Sequence, residues 1–371
     1  MLKIQKFMQD HENWAELLAA EPYNLKISYD NDLVMFKYNQ LTADFSIPLV
    51  CEARGIILEN KFPYKVVCWP FEKFFNYGEE YAAKIDWSTA SVQEKIDGSL
   101  MKCYFWNGEW RLATNGTINA YLAQIDGCTE FSTYGKLWDN IWPNWREYMN
   151  TFGSWYATYM FEMISPYNKV VIPYQKSEIY FLGWRDLQSG REISPYNSLI
   201  SHMLPTPVTY PLNSLEEVIA AANNLPWDRE GYVVCDGKFN RVKIKSPAYI
   251  VAHYTVANGI ITKKKLLKII LAHEEEEFLV YCPEYKEAID EVKEDMRELE
   301  TECGEALYSI YELPGYWRDY SRKEIFERIQ NWPYIEFKYI MANYKEYVSW
   351  KDFTQNWSVN KWMEMLYGYE D

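Results

Sequence analysis

Long apolar runs are missing from this 371-residue sequence. No stretch approaches the roughly 18 unbroken apolar residues of a membrane span. Acidic residues follow so soon after Met1 in MLKIQKFMQDHENW that a secretory leader is not expected. The chain is therefore expected to be soluble and cytoplasmic, in the host cytoplasm if it is viral. Cysteine is sparse and unpatterned: Cys51, Cys68, Cys103, Cys128, Cys235, Cys282 and Cys303 form no CxxC pair and are odd in number. Neither a disulfide framework nor a zinc site is expected from them. Positive charge is also short, with a formal net charge of −15. That balance excludes a protein that coats nucleic acid through bulk basicity, but not one with a local basic groove. Internal repeats and low-complexity linkers are absent too. What is abundant is Trp and Tyr, most of it for packing and a little of it able to stack bases. The length supports two domains, each with its own core.

Up to about residue 256 the pattern alternates short strands with turn signals. NLKISYDNDLVMFKY reads as a hairpin about Asn31, CEARGIIL and YKVVCW as strands, and MKCYFWNGEWRLAT as a hairpin on Asn107-Gly108. ATYMFEMI and SEIYFLGW continue the sheet, and EGYVVCDGKFNRVKIK is a hairpin on Asp236-Gly237. Helices are expected at 11–20, about 135–149 and 214–224, the last opened by Asn213 or Ser214 with two acids in its first turn. This is the pattern of an α+β domain on antiparallel sheets. Beyond residue 256 the spacing is helical throughout, and the region holds more than its share of the acid. A domain of residues 1–256 and an all-helical domain of 257–371 are expected.

Four elements bear charge in apolar settings. In VQEKIDGSLMKCYFW, Lys95 stands between a strand-like run and the Asp97-Gly98 step, so either an anion meets it or it sits at a rim. Gly98 permits close backbone approach to a ligand, and Asp97 could orient the ammonium or meet a metal. In EGYVVCDGKFNRVKIK, Lys243 and Lys245 share one strand face, with Glu230 roughly opposite Lys245. An ordinary solubilising edge strand is the alternative reading. Glu162 ends the apolar run in FEMISPYN, where it needs a partner or a metal unless the strand is half exposed. Arg54 in CEARGIIL and Lys73 in WPFEKFFNYGE sit among apolar and aromatic residues, where snorkelling from a core edge is the commoner fate.

Taken in order, RGI, EKFFN, KIDGS, FEMISP, EGYVV and KIK resemble the motif series of covalent nucleotidyltransferases, and most closely the T4 RNA ligase 1 family. The likeness runs from about Tyr38, in KYN, to His253, at the end of KIKSPAYIVAH. It implies an N-terminal nucleotidyltransferase domain of antiparallel sheets flanked by helices, with a helical C-terminal domain that contributes to substrate choice. Lys95 would attack the α-phosphorus of ATP and hold AMP. Arg54, Lys73, Lys243 and Lys245 would grip phosphates, and Tyr38 would line the nucleotide site. Glu162 would bind the ribose hydroxyls or support a metal, and Glu230 and Asp97 would hold or orient Mg²⁺, with Mn²⁺ an alternative. Phe75, Gly98 and Asn115 complete the set near the substrate.

Positioning by cations and metal is the main demand of in-line phosphoryl transfer. AMP would then pass to an RNA 5′-phosphate, and a 3′-hydroxyl would displace it, as in the repair of RNA or of a cleaved tRNA. Where relatives carry a basic residue after the nucleophile hairpin, this chain has Asn115, which brings no charge. The helical tail disfavours a DNA ligase or capping enzyme, whose last lysine motif leads into a β-rich domain. A protein that binds nucleotide or RNA without turnover, and a transferase using GTP or joining DNA, are the alternatives. The run Glu274 to Glu277 reads as a solvated helix end rather than a second metal site.

Overall fold

A computed structural model describes residues 1–39, 42–125, 128–168, 170–254, 261–311, 320–344, 347–355 and 357–368. The chain forms two compact units, Met1–His253 and Tyr254–Asp371. The first contains strands β1 (Leu25–Asp30), β2 (Leu33–Tyr38), β3 (Arg54–Glu59), β4 (Val66–Cys68), β5 (Phe75–Asn76), β6 (Ser91–Lys95) and β7 (Ser99–Trp106). It continues with β8 (Glu109–Thr114), β9 (Ala157–Ile164), β10 (Glu178–Asp186), β11 (Glu192–Ile193), β12 (Thr209–Tyr210), β13 (Gly231–Cys235) and β14 (Arg241–Lys245). Its helices are α1 (Lys3–Asp10), α2 (Trp14–Ala19), α3 (Pro48–Glu52), α4 (Tyr134–Ile141), α5 (Trp145–Phe152), α6 (Leu215–Asn223) and α7 (Pro247–Tyr254).

The strands build three sheets, ordered β1-β2-β3-β4, β11-β10-β9-β7-β8 and β12-β6-β13-β14-β5. Pairing is antiparallel except between β5 and β14, which run parallel. Two of the three expected turns are as the sequence announces, with positive φ at Asn31, Asn107 and Gly108 and the β7–β8 hairpin closing on Asn107-Gly108. The β13–β14 hairpin instead closes through the longer loop 236–240, with its positive φ at Phe239 rather than Gly237. Each sheet buries an alternating set of side chains. Val34, Phe36, Ile56 and Leu58 pack under α1 to α3, and Phe161, Met163 and Trp138 form the core of the second sheet with α4 and α5. Val92, Val234, Val242 and Ile244 pack against α6. A fourth cluster, including Met35, Ile57, Cys68 and Tyr104, joins the first sheet to the second.

Several local readings are corrected. The expected helix at 11–20 is only α2, and a helix at Lys3–Asp10 precedes it, burying Ile4 and Met8. The expected helix at 135–149 is two helices, because Pro143 can neither donate nor follow a helical residue comfortably. Cys51 and Glu52 belong to α3, so the strand of CEARGIIL begins at Arg54. Strand β14 is no edge, being flanked by β13 and β5.

The second unit is helical in its described residues: α8 (Lys263–Leu271), α9 (Glu275–Tyr281), α10 (Lys286–Tyr311), α11 (Arg322–Ile329), α12 (Tyr334–Ala342), α13 (Trp350–Thr354) and α14 (Val359–Tyr367). Helix α10 packs against α8, α12 and α14. Ser321 and Glu324 form a reciprocal cap that starts α11. In the acidic run, Glu275 is ion-paired with Lys293 at 2.6 Å. Among the described residues no helix is long and apolar enough to cross a membrane.

Candidate active site

One face of β6, β13 and β14 packs on α6, so Gln93, Lys95, Val233, Arg241 and Lys243 project from the other face and line a cavity of about 570 Å³. Across that space stand Gly98, Ser99, Leu100 and Glu162 of the second sheet, with Arg54 and the turn Asn115–Thr117 closing one side. Lys95 ends β6 directly opposite Gly231, which is itself opposite Lys245. Gly231 has φ +142°, and a methyl group there would lie 2.2 Å from the Ile244 carbonyl oxygen.

Lys95 Nζ meets Glu230 Oε1 at 2.6 Å, with the carboxylate almost fully buried. Burial raises the Glu230 pKa, the neighbouring Lys95 and Lys245 oppose the rise, and Asp97 adds to it. The other oxygen of Glu230 is buried without a hydrogen-bond partner. Glu162, two residues before the end of β9, lies opposite Leu100. Burial pushes its pKa up to about 8, against the pull of Lys95 and Arg54 and with the help of Glu230 and Asp97.

Asp97 is engaged by hydrogen bonds at both of its oxygens. Its Oδ2 accepts from the backbone N–H groups of Val171 and Ile172 at 3.0 and 2.8 Å, and its Oδ1 accepts from the Tyr249 hydroxyl at 2.9 Å. Both oxygens are spent on fixing the loop after β9 and helix α7 beside the nucleophile strand. Gly98 is needed for the close approach of β9: a methyl group there would stand 2.6 Å from the Met163 carbonyl oxygen. A divalent cation would thus find the spare oxygen of Glu230, with Glu162 near by, and no cluster of three metal-binding side chains among the described residues. That donor set fits Mg²⁺, which is commonly held by one or two carboxylates plus phosphate oxygens and water.

The remaining expected residues divide between two places. Arg54 lies on the cavity wall, stacked 4.9 Å over the Phe74 ring and donating to the Glu72 carbonyl oxygen at 3.3 Å. Lys243 is also over Phe74, at 5.6 Å. Lys73, Tyr38 and Phe75 are not on that wall. They form an aromatic nest in which the Lys73 ammonium lies 5.5, 4.6 and 5.2 Å from the rings of Tyr38, Phe45 and Phe75. Asn115 lines the cavity with its side-chain oxygen buried and unpartnered.

Two charged groups were missed in the sequence. Arg241 precedes Lys243 by two, so RVKIK places three cations on one strand face, a spacing that could have revealed it. Its guanidinium is paired with Glu192, which also binds Arg185 at 3.0 Å, and the trio ties the third sheet to the second. Lys102, inside the apolar strand SLMKCYFW, is the other.

Comparison with known proteins bears on this site directly. The family model described as RNA ligase, of the T4 RNA ligase 1 type, matches residues 52–249, which carry Arg54, Lys95, Glu162, Glu230, Lys243 and Lys245. The chain belongs to the T4 RNA ligase 1 family. This family member is 29% identical over 279 residues to a protein of Autographa californica nuclear polyhedrosis virus named as a bifunctional polynucleotide kinase/RNA ligase. That match covers 70% of this chain and 39% of the viral protein. It is 26% identical over 340 residues to an RNA ligase of Rhodothermus phage RM378, covering 76% of each. Among solved structures, an archaeal ATP-dependent RNA ligase aligns with a TM-score of 0.47 at 14% identity, over 79% of this chain and 77% of that one.

Proposed function

We propose that this family member is an ATP-dependent RNA ligase that joins a 5′-phosphate to a 3′-hydroxyl through a Lys95-AMP intermediate. The observation that carries the reading is the convergence of the Lys95 amine, the half-buried Glu162 and the cations Arg54 and Lys243 on one cavity, with the buried Glu230 carboxylate held against the amine. In the first step the Lys95 nitrogen bonds to the α-phosphorus of ATP as the bond to pyrophosphate breaks. The proton leaving the amine has an acceptor 2.6 Å away in Glu230. Arg54, Lys243 and Lys245 face the charge that builds on the phosphates, where fixed cations in a water-poor site act most strongly. Glu230 and Glu162 would hold Mg²⁺, which when bound screens the phosphate charge. A 5′-phosphate oxygen of RNA then takes AMP from Lys95, and the 3′-hydroxyl of a second end displaces AMP to seal the strand. Single-stranded breaks, including those of a cleaved tRNA loop, are the substrates proposed. The helical unit is proposed to select among them.

Incubation with ATP labelled at the α-phosphate and Mg²⁺ tests the reading. The protein should become labelled, Lys95→Ala should not, and a 5′-phosphorylated oligoribonucleotide should circularise. Wild-type protein that takes no label would remove the proposal, and labelling without circularisation would favour a nucleotide-binding protein lacking turnover.

A further inference from the structure

Lys102 is completely buried, yet no carboxylate among the described residues lies within ion-pair distance of it. It follows Leu100 by two on β7, so it projects from the same strand face as that cavity-lining residue, one step behind the lining. Its Nζ donates to the Gly55 carbonyl oxygen at 2.5 Å, just behind Arg54. A methyl group at Gly55 would lie 2.5 Å from that Nζ and 3.2 Å from Asn115 Oδ1, so only glycine lets these groups crowd together. Lys37, directly opposite Arg54 in the first sheet, brings its own Nζ to the neighbouring Gly116, 3.4 Å from where a methyl group would be.

Three cations thus surround the turn that closes one side of the cavity, and none has an ion pair among the described residues. Burial depresses the pKa of Lys37 and brings that of Lys102 down to about 8, against the opposing influence of Cys68 and with Arg54 and Lys37 adding to the effect on Lys102. An uncompensated buried charge destabilises a fold. A like-charged trio beside a cavity is an arrangement that an arriving anion would relieve.

We propose that Arg54 and the Asn115–Gly116 turn on the cavity wall, backed by the positive charge of Lys37 and Lys102, form a phosphate site that receives the terminal 5′-phosphate of the RNA. The positive charge that Asn115 does not supply is then delivered from the adjacent strand, one layer deeper. The anion site stands on geometry alone, whereas the RNA end as its occupant rests on the ligase reading. A phosphate of ATP is the other source of the same chemistry.

The test is equilibrium binding, read by fluorescence anisotropy, of paired oligoribonucleotides with a 5′-phosphate or a 5′-hydroxyl, and separately of ATP. Wild type should prefer the 5′-phosphate, and Lys102→Met and Lys37→Gln should each reduce that preference about tenfold. Lys102→Met should also melt no lower than wild type, because a purely structural lysine would lower the melting temperature when replaced. If Lys102→Met does not fold, Lys37→Gln carries the same readout. No preference in wild type, or preference unchanged in both variants with ATP affinity also unchanged, overturns the site. Loss of ATP affinity with the preference intact overturns the RNA assignment. Labelling of wild type by ATP is measured independently: if it fails while the preference is present, the ligase reading falls and the anion site stands.

Discussion

At the scale of single residues, the site holds carboxylates whose protonation is shifted by burial and by the charges around them. Glu162 has its pKa raised to about 8, chiefly by burial, with Lys95, Glu230, Arg54 and Asp97 as its charged neighbours. Below the ordinary carboxyl range both folded and unfolded chains hold this proton. Between there and about pH 8 the folded chain holds it alone, so stability falls as pH rises through that window. Glu162→Gln should flatten this decline, seen as a smaller difference between melting temperatures at pH 5.5 and pH 8.5, together with a large loss of label uptake from ATP. An unchanged pH profile would count against the buried carboxylate. Residue types were legible in the sequence where a lysine or glutamate broke an apolar run, as at Lys95 and Glu162. The hydrogen bonds of Asp97 were not, because its donors Val171, Ile172 and Tyr249 come from segments some 75 to 150 residues away. Lys102 raised the same question as Lys95 but had no turn signal beside it to draw notice.

At the scale of elements, local signals sufficed where the chain turns back on itself. The hairpins about Asn31 and on Asn107-Gly108 need positive φ, which these residues tolerate, and they could be read directly. Strand β5 could not: it is two residues long and exists because it pairs in parallel with β14, bringing Phe75 beside Val242. Helix α1 lacks a side-chain cap and was missed for that reason. The junction of β6 and β7 is where element geometry bears most on chemistry. Gly98→Ala would press a methyl group to 2.6 Å from the Met163 carbonyl oxygen, a backbone atom that cannot rotate away. Overpacking of this kind costs about 1–3 kcal/mol. The variant should show a lowered midpoint in urea and a loss of Lys95 labelling out of proportion to that destabilisation. Full labelling would show that the approach of β9 to the nucleophile strand is dispensable.

At the scale of the whole molecule, the acidic balance and the cationic site act at different ranges. With a net charge of −15, the chain as a whole repels RNA at long range, and the proposed binding would rest on a few cations at one cavity. Single-stranded nucleic acid gives a salt slope of about −0.7 for each phosphate neutralised. Engagement of three or four phosphates predicts a slope of about −2 to −3 for log K against log salt. A titration of oligoribonucleotide binding across salt concentrations checks this, and a slope several times steeper would point to a wider basic surface. The division into a mixed and a helical part was readable from periodicity. The joining of three sheets around one cavity was not, because it depends on pairings such as β6 with β13 and on the Arg241–Glu192–Arg185 bridge.

The bare backbone at Gly231 has a consequence for how two like charges are held. It lies on the strand between Lys95 and Lys245, whose backbones are two strand spacings, about 9.5 Å, apart, and the Glu230 carboxylate next to it feels both ammoniums. Strand pairing sets that separation, and glycine at 231 preserves it, because a methyl group there would push against the β14 backbone at Ile244 and Lys245.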